Sequence, residues 1–262
     1  MAFTLGPHAQ SAGYQLASFD QIGSTNSEAL ERARAGERGP MWFATTEQTA
    51  GRGRRHRPWI APRGNLAASV LEVLNVVPAT AATLGFAAGL ALVAALRAVA
   101  GSAGLALSLK WPNDVLAGAA KLSGILLEAE ALPGGGLAVV VGMGTNVVAA
   151  PDGTPTPATS LQALGLVTSA EALFAALSDN WVDCRGIWDQ GKGFEEIRRR
   201  WLALAAGLGQ PVSVHTGHAT VSGIFDTIDH TGCMIVRTAT GDEIPISAGD
   251  VHFGAVASAR VS

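Results

Sequence analysis

A glycine- and arginine-rich segment, GRGRRHRPW at residues 51–59, holds the densest set of chemically capable side chains in the sequence. Five of the 18 basic residues lie within the 12 positions from Arg52 to Arg63, in a chain of formal net charge −3. Glycines let backbone N–H groups approach an anion closely, and guanidinium groups match phosphate and carboxylate oxygens in pairs. The segment therefore predicts an anion-binding loop, with a solvated loop or an RGG-like nucleic-acid tail as the alternative. It matches neither a P-loop nor a dinucleotide fingerprint.

Lysine is scarce in this chain, which has 15 arginines and three lysines: Lys110, Lys121 and Lys192. Two of the three stand in short motifs, KWPND at residues 110–114 and KLSG at residues 121–124. Because the two cations are not interchangeable, this scarcity indicates that an ammonium group is needed in these motifs, where it can neutralise charge at a phosphorus centre. Asp114 could hold Mg²⁺ together with substrate phosphates. A self-bonded turn and a guarding lysine at a strand edge are the structural alternatives.

Other polar groups precede or follow predicted elements. Residues 24–26, Ser-Thr-Asn, start a helix and can either cap it or bind a polar ligand, while Gln48 precedes the arginine loop. Residues 142–146, GMGTN, are predicted to end a buried strand, where glycines allow a ligand to approach. The histidines, Cys184 and Cys233 have no spacing that suggests a metal site or a nucleophile.

Periodicity predicts the elements that must position these residues. Helices are expected at 24–35, 79–100, 169–188 and 194–206, and strands at 41–46, 66–73, 105–110, 121–130 and 137–141. Short strands then follow at 212–216, 219–228, 234–238 and 243–247. We therefore expect an α/β (α+β) domain, residues 1–208, whose mixed β-sheet is flanked by helices, and a small C-terminal β-barrel or meander, residues 209–262.

Composition limits the class of protein. A chain of 262 residues with 48% hydrophobic and 15% charged residues is not disordered. The net charge of −3 argues against non-specific nucleic-acid binding. Gly, Pro or charged residues interrupt the apolar stretches before they reach membrane-spanning length, and the first ten residues lack the Lys or Arg of a secretory signal. We expect a soluble, cytoplasmic protein with reduced cysteines.

Together, the motifs resemble the biotin protein ligase family, in the monofunctional type without a DNA-binding domain. In the family's own order they are Ser24–Asn26, Glu47–Arg55, Lys110–Asp114, Lys121–Glu128 and Gly142-x-Gly144-x-Asn146. The resemblance implies an ATP-dependent enzyme that forms biotinyl-5′-AMP and pyrophosphate. The enzyme then transfers biotin to a lysine of a biotin carboxyl carrier protein or domain, in acetyl-CoA carboxylase or a related carboxylase. It also implies that the C-terminal domain is an SH3-like β-barrel.

The resemblance implies a role for each matching residue. It places biotin at Ser24, Thr25, Asn26, Gln48, Arg52, Gly53, Arg54, Lys121 and Gly124. It places ATP and the adenylate at Arg52, Arg55, Trp59, Lys110, Asn113 and Asn146. The catalytic residues that it implies are Lys121, Arg54 and Asp114, and Asp114 is also the implied Mg²⁺ ligand. His56 stands where the family commonly has glycine, a difference that could stiffen the loop.

Two other functions remain open on the sequence. A lipoate or octanoate protein ligase shares the implied catalytic fold, and a non-catalytic biotin- or nucleic-acid-binding module would also use the arginine loop. The segment before residue 24 is too short for the DNA-binding domain of bifunctional family members, so we expect no DNA binding. We also expect no membrane contact, and the sequence leaves open whether the protein is a homodimer.

Overall fold

The computed structural model describes residues 2–154, 156–217 and 219–253. The strands of its larger sheet are β1 (Gln15–Phe19), β2 (Met41–Thr45), β3 (Leu66–Leu74), β4 (Leu107–Lys110), β5 (Asp114–Ala117), β6 (Ala120–Ala131) and β7 (Leu137–Thr145). These seven strands lie in the spatial order β1-β2-β3-β7-β6-β5-β4. β1 pairs with β2 in parallel and all the other neighbours pair antiparallel, so the predicted mixed sheet is confirmed.

Helices pack on both faces of this sheet. They are α1 (Pro7–Ser11), α2 (Thr25–Arg34), α3 (Pro78–Ala82), α4 (Leu84–Ala100), α5 (Ala170–Trp188) and α6 (Phe194–Leu202). The main core lies between the sheet and the pair α4 and α5, and it includes Ile125 and Val141. A smaller core lies on the opposite face, where Ala29 and Ala33 of α2 pack against Leu71. The sheet is therefore a middle layer, with α4 and α5 on one face and α2 on the other.

Helix α4 is buried because almost all of its side chains are small or apolar. Twelve of its 17 residues are buried, and its alanines let the sheet and α5 approach closely. The expectation that every apolar stretch stops short of membrane-spanning length is wrong for Pro78–Ala103, which is long and apolar enough to cross a membrane by length and composition alone. However, 72% of its apolar window is buried inside the protein, as in the core helix of a soluble fold.

A second sheet follows α6 and is entirely antiparallel. Its strands are β8 (Pro211–His215), β9 (Thr220–Ile228), β10 (Met234–Arg237), β11 (Glu243–Ile246) and β12 (Asp250–Phe253). They lie in the order β11-β10-β9-β8-β12. The small C-terminal β-domain is confirmed, but within residues 211–253 its two outer strands do not pair with each other. Closure into an SH3-like barrel therefore stays a prediction, as does the boundary between residues 208 and 209.

The segment between α6 and the second sheet forms hydrogen bonds with β4, the edge strand of the larger sheet. The Leu109 N–H donates to the Leu204 carbonyl, and the Leu109 carbonyl accepts from the Ala206 N–H, each at 2.8 Å. Just beyond β4, Trp111 Nε1 donates to the Gly232 carbonyl at 3.1 Å, and the Trp111 side chain is fully buried. The KWPND motif therefore lies where the two sheets meet.

The observed elements differ from the predicted ones in several places. The helix predicted at 79–100 breaks at Thr83, whose hydroxyl bonds the Thr80 carbonyl and accepts from Trp188 Nε1 at 2.8 Å. The strand predicted at 137–141 is longer than expected: it continues to Thr145, so it ends within GMGTN as predicted but includes four of the five residues of that motif. The elements α1, β1, β5 and β12 carry only four or five residues each and gave no periodic signal. Residues 1 and 254–262, at the ends of the two predicted domains, lie outside the described residues.

A buried polar network joins β3 to α5 on the face of the sheet that α4 and α5 cover. Glu72 of β3 accepts from the Tyr14 hydroxyl at 2.6 Å, from Trp181 Nε1 at 3.3 Å and from Arg185 Nε at 3.1 Å. Burial, together with the Glu72 charge, raises the pKa of Tyr14 well above its ordinary value, so the phenol stays protonated and donates. Tyr14 and Arg185 therefore share this one carboxylate, while Trp181 Nε1 also donates to the Tyr14 hydroxyl at 3.0 Å.

We expect Glu72→Ala to lower the free energy of unfolding by about 3 kcal/mol, because it leaves the largely buried charge of Arg185 and the hydroxyl of Tyr14 without their acceptor. Chemical denaturation followed by circular dichroism measures this loss. The control is Glu130→Ala, which removes the exposed ion pair with Arg34 and should leave the unfolding midpoint near that of the wild type. Equal midpoints for the two variants would contradict the network's structural role.

Candidate functional site

One row of paired residues crosses four strands on the face that α2 covers. Lys110 of β4 lies opposite Asp114 of β5, Asp114 lies opposite Gly124 of β6, and Gly124 lies opposite Gly144 of β7. Residues directly opposite each other in antiparallel strands share a face. Two charged side chains therefore stand beside two positions that carry no side chain.

Gly124, Gly142 and Gly144 form a bare patch on this face, which we call the glycine strip. A Cβ atom at Gly142 would overlap Asn26 Oδ1, and a Cβ atom at Gly144 would lie 2.6 Å from the Trp59 ring. A Cβ atom at Gly124 would lie 3.2 Å from the same ring. These positions require glycine because side chains from α2 and from the arginine loop rest directly on the strip.

The N-terminus of α2 and Gln48 lie together at one end of the strip. Ser24 caps the helix by accepting from the Ser27 N–H at 3.4 Å. The Thr25 N–H donates to Gln48 Oε1 at 2.8 Å, and the Thr25 hydroxyl lies 3.2 Å from the same oxygen. Because that oxygen already accepts a hydrogen bond, Gln48 has its Nε2 amide left as a donor. This amide lies beside Gly51, and a Cβ atom built on Gly51 would lie 2.9 Å from it. The predicted grouping of these residues is thus present in the structure.

Two residues to which the sequence analysis gave no role hold Asn26 in place. The Ser69 hydroxyl lies 2.6 Å from Asn26 Oδ1 and 2.7 Å from Thr25 Oγ1. Asn26 Nδ2 donates to Glu128 Oε2 at 2.8 Å. Two features of the sequence hint at them: a serine inside the apolar run of β3, and a glutamate at the end of the KLSGILLE segment. In the structure Ser69 is fully buried. Neither feature specified a contact with α2.

The arginine loop lies over this polar group. Arg52 Nη2 lies 3.1 Å from Ser27 Oγ and 3.3 Å from both carboxylate oxygens of Glu128. The Gly53 N–H donates to the Arg57 carbonyl at 2.7 Å, which closes a turn in the loop. Arg52 therefore lies against the first turn of α2, and Gly53, also predicted at the site, lies next to it in the turn of the loop.

Lys121 occupies the other end of the glycine strip. Its Nζ lies 2.6 Å from Asp114 Oδ1 and 5.4 Å from the centre of the Trp59 ring. Trp59 and this ammonium group both lie against Gly124, and Trp59 Nε1 is buried without a hydrogen-bond partner in the described part of the chain. An unsatisfied buried donor beside a cation suits a ligand that brings acceptor atoms.

Arg54 and Asn113 join the same end. Arg54 Nη1 donates to Asn113 Oδ1 at 3.2 Å, and Asn113 Nδ2 donates to the Ile125 carbonyl at 2.7 Å. Burial lowers the pKa of Arg54 and of Lys110 below their ordinary values, against the opposing charge of Asp114. Arg54, Lys110 and Lys121 thus surround one carboxylate, and three cations around one acid leave a surplus of positive charge.

Two predicted residues lie apart from these groups. Arg55 is held by Asp250 of β12, 3.0 Å from Nη1 to Oδ2. Asn146 is buried just after β7, where its Nδ2 donates to the Thr159 carbonyl at 3.0 Å and its Oδ1 has no partner among the described residues. Lys110 Nζ lies 5.6 Å from the centre of the Phe253 ring, so β12 borders the cationic end of the site.

Asp114 is the residue that fits the predicted Mg²⁺. Within residues 2–154, 156–217 and 219–253, no group of three or more His, Cys, Asp or Glu residues is placed to hold a metal ion. Asp114 Oδ1 is buried, and Lys121 is its ion-pair partner. A single carboxylate is a sufficient protein ligand for Mg²⁺ when substrate phosphates supply other oxygens, so the donor set fits an ion that arrives with a nucleotide.

Comparison with protein-family models identifies the class to which this fold and site belong. Residues 19–146 match the biotin/lipoate A/B protein ligase family, and residues 207–254 match the biotin protein ligase C-terminal domain. These two matches include the glycine strip, the arginine loop and the second sheet. The chain belongs to the biotin/lipoate A/B protein ligase family.

Individual relatives are more specific. The chain is 41% identical over 237 residues to a biotin–[acetyl-CoA-carboxylase] ligase of Paracoccus denitrificans, covering 88% of this chain and 97% of the relative. It is 35% identical to the protein of the same name from Mycobacterium tuberculosis, covering 93% and 90% of the two chains. The biotin protein ligase of Aquifex aeolicus, solved with biotin and ATP, has the same fold, with a TM-score of 0.75 at 24% identity over 92% of this chain and 99% of that one.

We expect Gly142→Ala to lower the free energy of unfolding by about 1–3 kcal/mol, because the new methyl group displaces Asn26 from Ser69 and Glu128. Denaturation curves and a crystal structure of the variant measure both effects. The control is Gly85→Ala in α4, where a Cβ atom meets nothing within 4 Å and alanine favours the helix. An unshifted Asn26 in a variant of wild-type stability would refute the close packing on the strip.

Proposed function

We propose that this protein is a biotin–protein ligase. It activates biotin with MgATP to give biotinyl-5′-AMP and pyrophosphate, then transfers biotin to a lysine of a biotin carboxyl carrier domain. The observation that carries the proposal is the glycine strip, with hydroxyl and amide groups and the paired charges of Arg52 and Glu128 at one end and three cations at the other. That arrangement suits a molecule with a polar neutral head, an apolar body and a carboxylate tail, which is the chemistry of biotin.

The neutral end is suited to the ureido group of biotin. Gln48 Nε2 is a donor for the ureido carbonyl, and the hydroxyl groups of Ser24 and Thr25 complete a set of donors and acceptors with Asn26. The glycine strip leaves room on the sheet for the Trp59 ring, which lies against Gly124 and Gly144 and is an apolar wall for the fused rings and the alkyl chain. Arg52 and Gly53 cover this end from the loop.

The cationic end is suited to the reaction between two anions. The biotin carboxylate attacks the α-phosphorus of ATP; a C(O)O–P bond forms, and the bond from that phosphorus to pyrophosphate breaks. Lys121 and Arg54 neutralise the charge that develops on the phosphoryl oxygens, and Arg54 keeps further N–H groups free of Asn113 for this purpose. Positioning and charge neutralisation supply most of the catalysis.

The remaining predicted residues are assigned to the nucleotide. Asn146 Oδ1 is a buried acceptor for an amino or hydroxyl group of adenosine, and Lys110 and Asn113 border the phosphates. Arg55 reaches the nucleotide through N–H groups that Asp250 does not use. Asp114 holds Mg²⁺ when MgATP is bound, and the ion offsets phosphate charge.

The second reaction transfers the acyl group. The neutral amine of a carrier lysine attacks the acyl carbon of biotinyl-5′-AMP; an amide forms, AMP leaves, and the amine gives up a proton. The adenylate must be kept from water until then, which is a role for the arginine loop. The relatives' names support acetyl-CoA carboxylase as the source of the carrier domain.

We further propose a cytoplasmic location and the two domains 1–208 and 209–262. The buried position of α4 supports a soluble enzyme. The strands of the second sheet, which begin at Pro211, support the boundary.

Mass spectrometry tests the function after the purified protein is incubated with MgATP and either biotin or lipoate, without a carrier. We expect biotinyl-5′-AMP from biotin and no adenylate from lipoate. Lipoyl-AMP in place of biotinyl-5′-AMP would make the chain a lipoate ligase of the same fold. Failure to form either adenylate would contradict ligation and favour a binding module.

We expect Lys121→Ala to lower kcat/KM for adenylate formation by about 30-fold or more, since deleting one preorganised charge donor costs about 2 kcal/mol or more of transition-state stabilisation. Pyrophosphate release measures the rate. The control is Lys192→Ala, the remaining lysine, which is exposed and 3.8 Å from Asp189. A Lys121→Ala rate close to that of the control would remove Lys121 from the mechanism.

A further inference from the structure

Asp250 connects the arginine loop to the C-terminal sheet. It begins β12, and its Oδ2 accepts from Arg57 Nη2 at 2.6 Å and from Arg55 Nη1 at 3.0 Å. The two arginines are 193 and 195 residues away from it in the sequence. One carboxylate oxygen therefore holds two side chains of the loop, and no motif of the sequence pointed to this contact.

The two arginines flank a constrained turn. Arg55 has φ 54° and ψ 34°, a left-handed conformation that a residue with a side chain adopts when its surroundings hold it there. Arg54 precedes it and donates to Asn113 instead. Consecutive side chains thus go to different partners: Arg54 to the proposed phosphate end, and Arg55 and Arg57 to Asp250.

Asp250 carries the negative charge that holding two guanidinium groups requires. Burial by itself would raise the pKa of Asp250, but the hydrogen bond and charge of Arg57 and the charges of Arg55 and Arg54 outweigh burial and hold the pKa below its usual range. The carboxylate is therefore ionised at neutral pH. Because Arg57 is largely exposed, the pair contributes little to global stability, and its effect is on the loop.

We propose that Asp250 is a positioning residue that fixes the arginine loop over the site. By holding Arg55 and Arg57, it sets the turn from which Arg54 reaches Asn113 and from which Trp59 returns to the glycine strip. The C-terminal sheet then controls how long the loop retains the adenylate. This inference rests on the proposed function for its substrate, but the contact itself can be tested without any substrate.

Limited trypsin digestion of the full chain tests the contact. In Asp250→Asn the side chain keeps its shape but loses its charge, and we expect cleavage after Arg54 and Arg55 to become about fivefold faster, as the loss of about 1 kcal/mol of local stabilisation implies. Mass spectrometry identifies the cut bonds. Arg57→Ala removes the contact from the loop side and should have the same effect, while Asp250→Glu should restore much of the protection.

The matched control is Asp226→Asn, which breaks the ion pair with Arg237 in the same sheet, 2.8 Å from Nη2 to Oδ1. It should leave loop cleavage at the wild-type rate. Unfolding midpoints of all variants show whether a faster cut reflects the loop or the whole domain. Equal cleavage in the wild type, Asp250→Asn and Arg57→Ala would overturn the proposal.

Release of biotinyl-5′-AMP tests the consequence for the reaction. We expect Asp250→Asn to release preformed adenylate about fivefold faster than the wild type and Asp226→Asn, in line with the digestion result. Faster cleavage with unchanged release would contradict the proposal that Asp250 controls adenylate retention. If the wild type forms no adenylate, the proposed function fails, and digestion alone still decides whether Asp250 holds the loop.

Discussion

The register of four antiparallel strands is the constraint on which the site depends. It aligns Lys110, Asp114, Gly124 and Gly144 in one row, so two charged side chains stand beside two glycines, against which the Trp59 ring packs. A shift of one residue between β6 and β7 would turn the adjacent apolar side chains toward α2 and bury the glycines in the main core. The large core formed with α4 and α5 holds this register, since slippage would expose residues such as Ile125.

The two ends of the strip differ in their interactions: hydrogen bonds between protein groups dominate one end, and excess positive charge dominates the other. At the neutral end, hydroxyl, amide and carboxylate groups satisfy one another, and Glu128 and Ser69 fix the orientation of Asn26 before any ligand binds. At the other end, Arg54, Lys110 and Lys121 outnumber the two acids that act there, Asp114 and Asp250. Burial lowers the pKa of Arg54 and Lys110, and the charges of these acids oppose that shift only in part. An anionic ligand would relieve that imbalance, which is why the site favours a molecule that is neutral at one end and negative at the other.

Much of this arrangement could be predicted from sequence, because the relevant residues lie in short motifs beside strong periodic elements. The long helices, the mixed sheet and the C-terminal β-domain are confirmed, and the motif residues gather around one sheet face. The short elements β1 and β5 could not be predicted, because strands of five and four residues show too little alternation. Asp250 could not be predicted either, since an acidic residue between short strands gives no sign of which distant arginine it pairs with.

The contact between Arg57 and Asp250 also bears on how the protein is made. Its partners are 193 residues apart, and β12 is the last strand among the described residues, so the completed loop depends on nearly the whole chain. Contacts between distant segments form late in folding, because closing a long loop loses chain entropy before the contact contributes any favourable free energy. During synthesis, the larger sheet can collapse around α4 while the arginine loop still lacks its anchor. A ribosome-bound chain would therefore reach a folded core well before its arginine loop is anchored, and chains released early would lack the contact that we propose for adenylate retention.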